Sequence, residues 1–301
     1  MAAAAHFAGI ALACYVAAGG LSRAAWVARS PRVAILCWQA IGLAVGLAAI
    51  GLPIAVGLAP YRRGTGRALL ALAGDLVDGR LPAGLTVPRL GLVGVGVGIA
   101  AVLLGSTARS VLAAGRVRRR HRQLLNLVAR DDPAAPGALV LDHPSAAAYC
   151  LPGVRPRVVV SAGALSLLDR AELAAVLSHE RAHADERHDL VLLPFTALCE
   201  ALPWVRWVHR ARHRVALLVE MRADDRARRQ HTAGPLANAL LRFATAGPRS
   251  APAGALGLAD RDLDARLARL LVTGRPPVLR RALSLGAAGA LLLAPVCLFL
   301  S

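Results

Sequence analysis

The stretch Ser178-His179-Glu180-Arg181-Ala182-His183 follows the apolar-periodic run Ala171-Glu172-Leu173-Ala174-Ala175-Val176-Leu177. The run reads as a helix, and the helix carries a His-Glu-x-x-His motif. Residues four apart on a helix project from one face. The imidazoles of His179 and His183 therefore stand one above the other and can hold one zinc ion. Glu180 is rotated by about a third of a turn. From there its carboxylate reaches a water on the ion rather than the ion itself, which suits a general base.

A catalytic zinc site needs a third protein ligand. Leu217-Leu218-Val219-Glu220-Met221-Arg222-Ala223-Asp224 supplies one in Glu220, which follows an apolar triplet as an inward-facing carboxylate would. Asp224 lies one turn further on the same face, placed to orient a zinc-bound imidazole. A rival set takes its third ligand six residues after the second histidine, at Asp189. That set needs a turn glycine where Glu186 stands, so the helix is expected to continue and carry Asp189 away. His188 is likewise expected to be too near in sequence to fold back.

At these residues the chain resembles the integral-membrane zinc metallopeptidases, of the BlaR/MecR antirepressor type and the related HtpX/CAAX-prenyl-protease type. Both carry His-Glu-x-x-His followed by Glu-x-x-x-Asp. The BlaR/MecR type is the closer likeness, through His183-Ala184-Asp185-Glu186-Arg187-His188-Asp189, Ala148-Tyr149-Cys150-Leu151-Pro152-Gly153 and Arg157-Val158-Val159-Val160-Ser161. In that group the chain continues into a β-lactam sensor. Here it ends at Ser301, so the sensor domain and its ligand are not expected. The resemblance implies a cytoplasmic or membrane-proximal protein substrate, a transcriptional repressor by analogy with BlaR/MecR and damaged membrane proteins by analogy with HtpX.

Composition agrees with a membrane protein. The 301 residues are 56% hydrophobic and only 4% aromatic, with a mean hydropathy of +0.52. All 36 basic residues are arginine, and the net charge is +18. Such a balance suits an anionic membrane surface or nucleic acid. The apolar runs favour the membrane, and no aromatics interleave the basic cluster Arg116-Val117-Arg118-Arg119-Arg120-His121-Arg122, so no direct nucleic-acid partner is expected. Cys14, Cys37, Cys150, Cys199 and Cys297 share no metal-binding spacing and read as free thiols.

Residues 1–21, 33–58, 90–108 and 282–301 are nearly uncharged and long enough to span a bilayer. Glycines 91, 94, 96 and 98 suggest close packing of the third span. The basic cluster just after that span is a cytoplasmic signal, which puts the N-terminus outside and the protease region inside, in a multi-pass protein of the cell membrane. The expected domains are a membrane region over 1–114, a metallopeptidase domain over 115–281 and a last span over 282–301. The fold class is thus a mostly α membrane protein with about four transmembrane helices and a small α+β zincin-type domain, a gluzincin, inserted before the last helix.

Within that domain, 138–142, 146–151 and 157–161 read as strands, and Asp169 and Glu172 mark the start of the zinc helix. Residues 190–205 are apolar but too short to span, and Pro194 and Pro203 are expected to break them. Residues 247–257 read as a loop. Residues 260–271 read as an amphipathic helix with Leu263, Leu267, Leu270 and Leu271 on one face and Arg266 and Arg269 available to pair with acids. The implied chemistry is peptide-bond hydrolysis with one Zn2+ per chain, held by His179, His183 and Glu220, with Glu180 as the base. A substrate strand would add to an exposed edge around Ala146, Ala148, Tyr149 and Cys150. Tyr149, His209, His213, Arg214 and His231 are all candidates for stabilising the oxyanion. A non-catalytic zinc-fold membrane adaptor is the competing function.

Overall fold

The computed structural model describes residues 2–80, 84–246, 256–257, 263–271 and 278–300. The chain divides into two compact units, one of Met1–Ser106, Glu200–Pro203 and Pro276–Ser301, the other of Thr107–Cys199 and Trp204–Arg275.

The first unit holds α1 (Ala2–Arg23), α2 (Trp26–Arg29), α3 (Pro31–Gly57), a 3-10 turn at Ala59–Tyr61, α4 (Thr65–Val77), the start of α5 (Val87–Val128) and α12 (Val278–Leu300). Four helices, α1, α3, α5 and the Arg281–Leu300 part of α12, are long and apolar enough to cross a membrane. In hydrocarbon every backbone amide and carbonyl must be satisfied within the segment, and a helix does this. The fully buried Phe7 of α1 stacks 5.2 Å from Phe299 of α12. Of the four clustered glycines on α5, Gly96 makes the close approach. A Cβ there would meet the Ile50 carbonyl oxygen of α3 at 2.8 Å and the Ile54 side chain, whereas Gly91, Gly94 and Gly98 face open space.

Helix α5 continues beyond residue 108, where the third span was expected to end, as far as Val128. No proline interrupts it, and its arginines are good helix formers. The basic cluster therefore lies on a continuous helix.

The second unit is built on a five-stranded sheet: β1 (Ala129–Asp131), β2 (Ala138–Leu141), β3 (Ala148–Leu151), β4 (Arg157–Ser161) and β5 (Leu256–Gly257), in the order β1-β2-β4-β3-β5. Among the described strands β2 and β4 pair parallel and the other pairs are antiparallel. Its helices are α6 (Ala162–Leu167), α7 (Arg170–Asp185), α8 (His188–Ala201), α9 (Arg206–Ala227), α10 (Ala233–Thr245) and α11 (Leu263–Leu271). Strand alternation sorts the side chains. Val140, Val158 and Val160 pack with Leu173, Val176 and Leu177 of α7 and with Leu236, Leu240 and Phe243 of α10. On the other face Tyr149, Leu151 and Val159 pack with Leu125 of α5.

Two further expectations differ from the structure. Pro194 lies inside α8 and does not break it. A proline removes one ladder hydrogen bond, and the helix survives that loss; its interruption falls at 202–205. On α11, Leu271 is 77% exposed while Arg266 is fully buried, so the apolar face is narrower than the leucine spacing suggests. The loop expected at 247–257 lies outside the described residues except for 256–257, which form β5.

Candidate metal centre

Helix α7 begins with a reciprocal cap. The Glu172 amide donates to Asp169 Oδ1 at 2.8 Å, and the Asp169 amide donates to Glu172 Oε2 at 3.0 Å. Such a cap fixes where the helix starts, and hence which face His179, Glu180 and His183 present. All three are fully buried.

His179 Nε2 and His183 Nε2 lie 3.1 Å apart. Glu220 of α9 places Oε2 3.4 Å from His179 Nε2 and Oε1 3.5 Å from His183 Nε2. Ligand atoms each bonded at about 2.0–2.1 Å to one tetrahedral ion stand roughly 3.3 Å apart. The separation of the two imidazole nitrogens and the approach of one Glu220 oxygen to each ring lie close to that value. Two imidazoles and a carboxylate are a donor set that zinc favours. His179, His183 and Glu220 thus form a zincin-type catalytic set for a single Zn2+.

The electrostatics separate the roles. Burial drives His183 down to about 3, with the charges of His179, His188 and Arg266 adding to it. It is neutral at pH 7, with a lone pair free for a metal. Burial also acts to lower His179, but Asp224 and Glu220 outweigh it and hold the ring at about 9. Burial pushes Glu220 up; His183 and Arg266 overcome this and bring it down to about 2. Glu180 goes the other way, to about 8, first through burial and then through the neighbouring Glu220. The Cys150 backbone acts in the opposite sense.

The surrounding groups come from several elements. Asp224 Oδ1 lies 3.0 Å from His179 Nδ1. Arg266 forks onto the same carboxylate, Nε to Oδ2 at 2.9 Å and Nη2 to Oδ1 at 2.6 Å, and its Nη1 stands 3.1 Å from Glu220 Oε2. The neighbouring Arg269 forks onto Asp225 at 2.7 and 2.6 Å. Pairing of these arginines was legible in the sequence; the complete burial of Arg266 against the metal-site carboxylates was not. An arginine at that spacing reads as a helix flank, and only the facing acids draw it inward.

The expectation for residues 184–189 is corrected. Helix α7 stops at Asp185, Arg187 takes a left-handed conformation with φ +49°, and α8 starts at His188. This reversal returns His188, 2% exposed, to the centre, where its Nδ1 lies 2.9 Å from His183 Nδ1. Arginine is an uncommon residue at positive φ, so nothing in the local sequence signals the turn. Asp189 instead accepts from Arg118 Nη1 at 2.7 Å and takes no part in the metal set.

The strand candidates are also revised. Tyr149 and Cys150 pair with Gly257 and Leu256, so β5 covers that stretch of the edge expected to receive substrate; Ala148 pairs with Val160 on the other side, and Ala146 precedes the strand. The Tyr149 ring packs on the sheet face away from α7 with Leu125 and Val159, and its hydroxyl lies 2.9 Å from His121 Nε2. That removes it as an oxyanion donor. Cys150 is fully buried, its thiol pushed up to about 12 by burial and then by Glu180. His209, His213 and Arg214 are exposed on the first half of α9, and His231 lies beyond the end of that helix.

Residues 113–247 match the family model of peptidase family M48. No curated protein and no solved structure matches the chain. The matched stretch contains His179, Glu180, His183 and Glu220. It carries the resemblance to membrane zinc metallopeptidases of the HtpX/CAAX-prenyl-protease type and does not single out the BlaR/MecR type.

Proposed function

We propose that this chain is a membrane-embedded zinc endopeptidase acting on membrane-proximal proteins, with Glu180 as its general base. The observation that carries this reading is a buried carboxylate, Glu180, beside two imidazoles and a second carboxylate, Glu220, spaced for one ion. A zinc ion held by His179, His183 and Glu220 would supply Lewis acidity toward the scissile carbonyl and the attacking water. Glu180 accepts a proton from the attacking water and delivers it to the leaving amine as the C–N bond breaks. Burial raises the affinity of Glu180 for a proton, and a cation held by His179, His183 and Glu220 would favour the ionised form in which it acts as base. Asp224 accepts a hydrogen bond from the Nδ1–H of His179, so the ring keeps that proton and turns a bare Nε2 toward the ion. Arg266 neutralises the two carboxylates that α9 buries.

The family match favours substrates of the HtpX kind, membrane proteins taken for quality control. A cytoplasmic repressor is the narrower substrate suggested by the BlaR/MecR-like run over 183–189. The protease unit belongs on the cytoplasmic side in this reading, supported by the arginine cluster at 116–122 that follows the third span.

Glu180→Gln tests the core of the proposal. The variant should retain zinc and lose proteolysis by at least the ~10²–10⁴-fold attributed to general acid–base catalysis. Proteolysis undiminished in Glu180→Gln sinks the assignment. The same inactive variant, used as a trap in pull-downs, separates membrane proteins from a soluble repressor as the retained substrate.

A further inference from the structure

We propose that His188, anchored by Glu186 and Arg222, is a positioning residue that sets the tautomer and ring orientation of His183 toward the metal. This inference rests on the zinc reading above. His183 presents Nε2 to His179 and Glu220, at 3.1 and 3.5 Å, so Nε2 is its ligand nitrogen. Its other nitrogen, Nδ1, lies 2.9 Å from His188 Nδ1, with the two rings edge to face at 83°. A hydrogen bond between two imidazole nitrogens needs one donor and one acceptor. A ligand lone pair at Nε2 leaves the His183 proton on Nδ1, which donates to a bare His188 Nδ1. His188 must then carry its own proton on Nε2.

That nitrogen faces an acid. Glu186 Oε2 stands 3.6 Å from His188 Nε2. Glu186 is itself gripped by Arg222, Nε to Oε2 and Nη2 to Oε1, both at 2.7 Å. Proton placement therefore runs one way, from Arg222 through Glu186 and His188 to His183. The two metal imidazoles are handled alike: Asp224, forked by Arg266, backs His179 Nδ1, while His188, backed by the Glu186–Arg222 pair, backs His183 Nδ1. Both supports draw on α9, the helix that also supplies Glu220.

The full-length protein in detergent separates these roles with two substitutions. The amide oxygen of asparagine can occupy the place of histidine Nδ1, whereas that of glutamine reaches the place of Nε2. Zinc affinity is measured by competition with a chelator, and the ligand field by the visible spectrum of the cobalt-substituted protein. His188→Asn should keep affinity and spectrum close to those of the unsubstituted chain. His188→Gln should weaken zinc binding by about 10–100-fold, the usual cost of losing a group that orients a ligand, and should shift the cobalt bands. The proposal is overturned if both variants match the unsubstituted chain, if both fall equally, or if Gln is the better substitute. Should His188→Gln fail to fold, Glu186→Gln reads the same relay with His188 in place: weakened zinc binding supports it and unchanged binding overturns it. Failure of the unsubstituted chain to bind zinc would instead refute the reading on which this one rests.

Discussion

At the scale of single residues, the site is a set of charges placed so that each imposes a protonation state on the next. In the metal-free centre His179, held at about 9 chiefly by Asp224 and Glu220 against the effect of burial, is doubly protonated and charged at pH 7, whereas His183, at about 3, is neutral with a single ring proton. Zinc requires a bare Nε2 on both rings. Loading at neutral pH must therefore release the His179 proton. Affinity should rise with pH through the neutral range and level off above about 9. Calorimetry in buffers of different ionisation enthalpy measures the released proton; affinity that stays flat from about pH 6 to pH 8 would contradict the assignment. Arg266 is the other residue on which this balance depends. Its fully buried guanidinium offsets Asp224 and Glu220. Truncating one partner of a buried ion pair costs about 3–5 kcal/mol because the remaining charge stays buried and unpaired. Arg266→Ala should lower the stability of the protein by that order in denaturant titration. Arg266→Lys, which keeps charge but loses the fork, should fall between the two.

At the scale of elements, helix α7 owes its register to local chemistry. Asp169 and Glu172 close the cap, and the four-residue spacing does the rest. Its neighbour α8 owes its position to a single unfavourable residue, Arg187, whose φ of +49° is held by the surrounding structure. In the membrane unit, the packing of α3 on α5 depends on a missing side chain. A Cβ at Gly96 would collide with Ile50 and Ile54, while at Gly94 it would meet nothing within 4 Å. Gly96→Leu should thus destabilise the detergent-solubilised protein by about 1–3 kcal/mol, as overpacking does. Gly94→Leu should stay within about 0.5 kcal/mol. Thermal unfolding of the pair decides it, and equal melting temperatures would refute the close contact.

At the scale of the whole molecule, four apolar helices and one zincin-type unit make a multi-pass membrane protein. The cytoplasmic placement proposed for the protease unit has a direct test. Val154 is 94% exposed in the turn between β3 and β4. With the five native cysteines replaced by serine, a Val154→Cys variant should react with a membrane-impermeant maleimide only after the cells are opened; labelling on intact cells would place the unit outside.

Legible in the residues alone were the apolar spans, three of the five described strands and the donor set of the centre. These rest on local periodicity: runs of uncharged residues long enough for a bilayer, and two pairs of residues four apart on helices. Asp224 beside a metal imidazole was legible for the same reason. Tertiary structure alone decided that Arg266 goes inside while Leu271 goes out, that His188 returns to His183, and that residues 256–257 cover Tyr149 and Cys150 on β3. In each case the outcome depends on which distant group faces the residue. A charge is buried only where an opposite charge already waits, and a strand edge is open only until another part of the chain pairs with it.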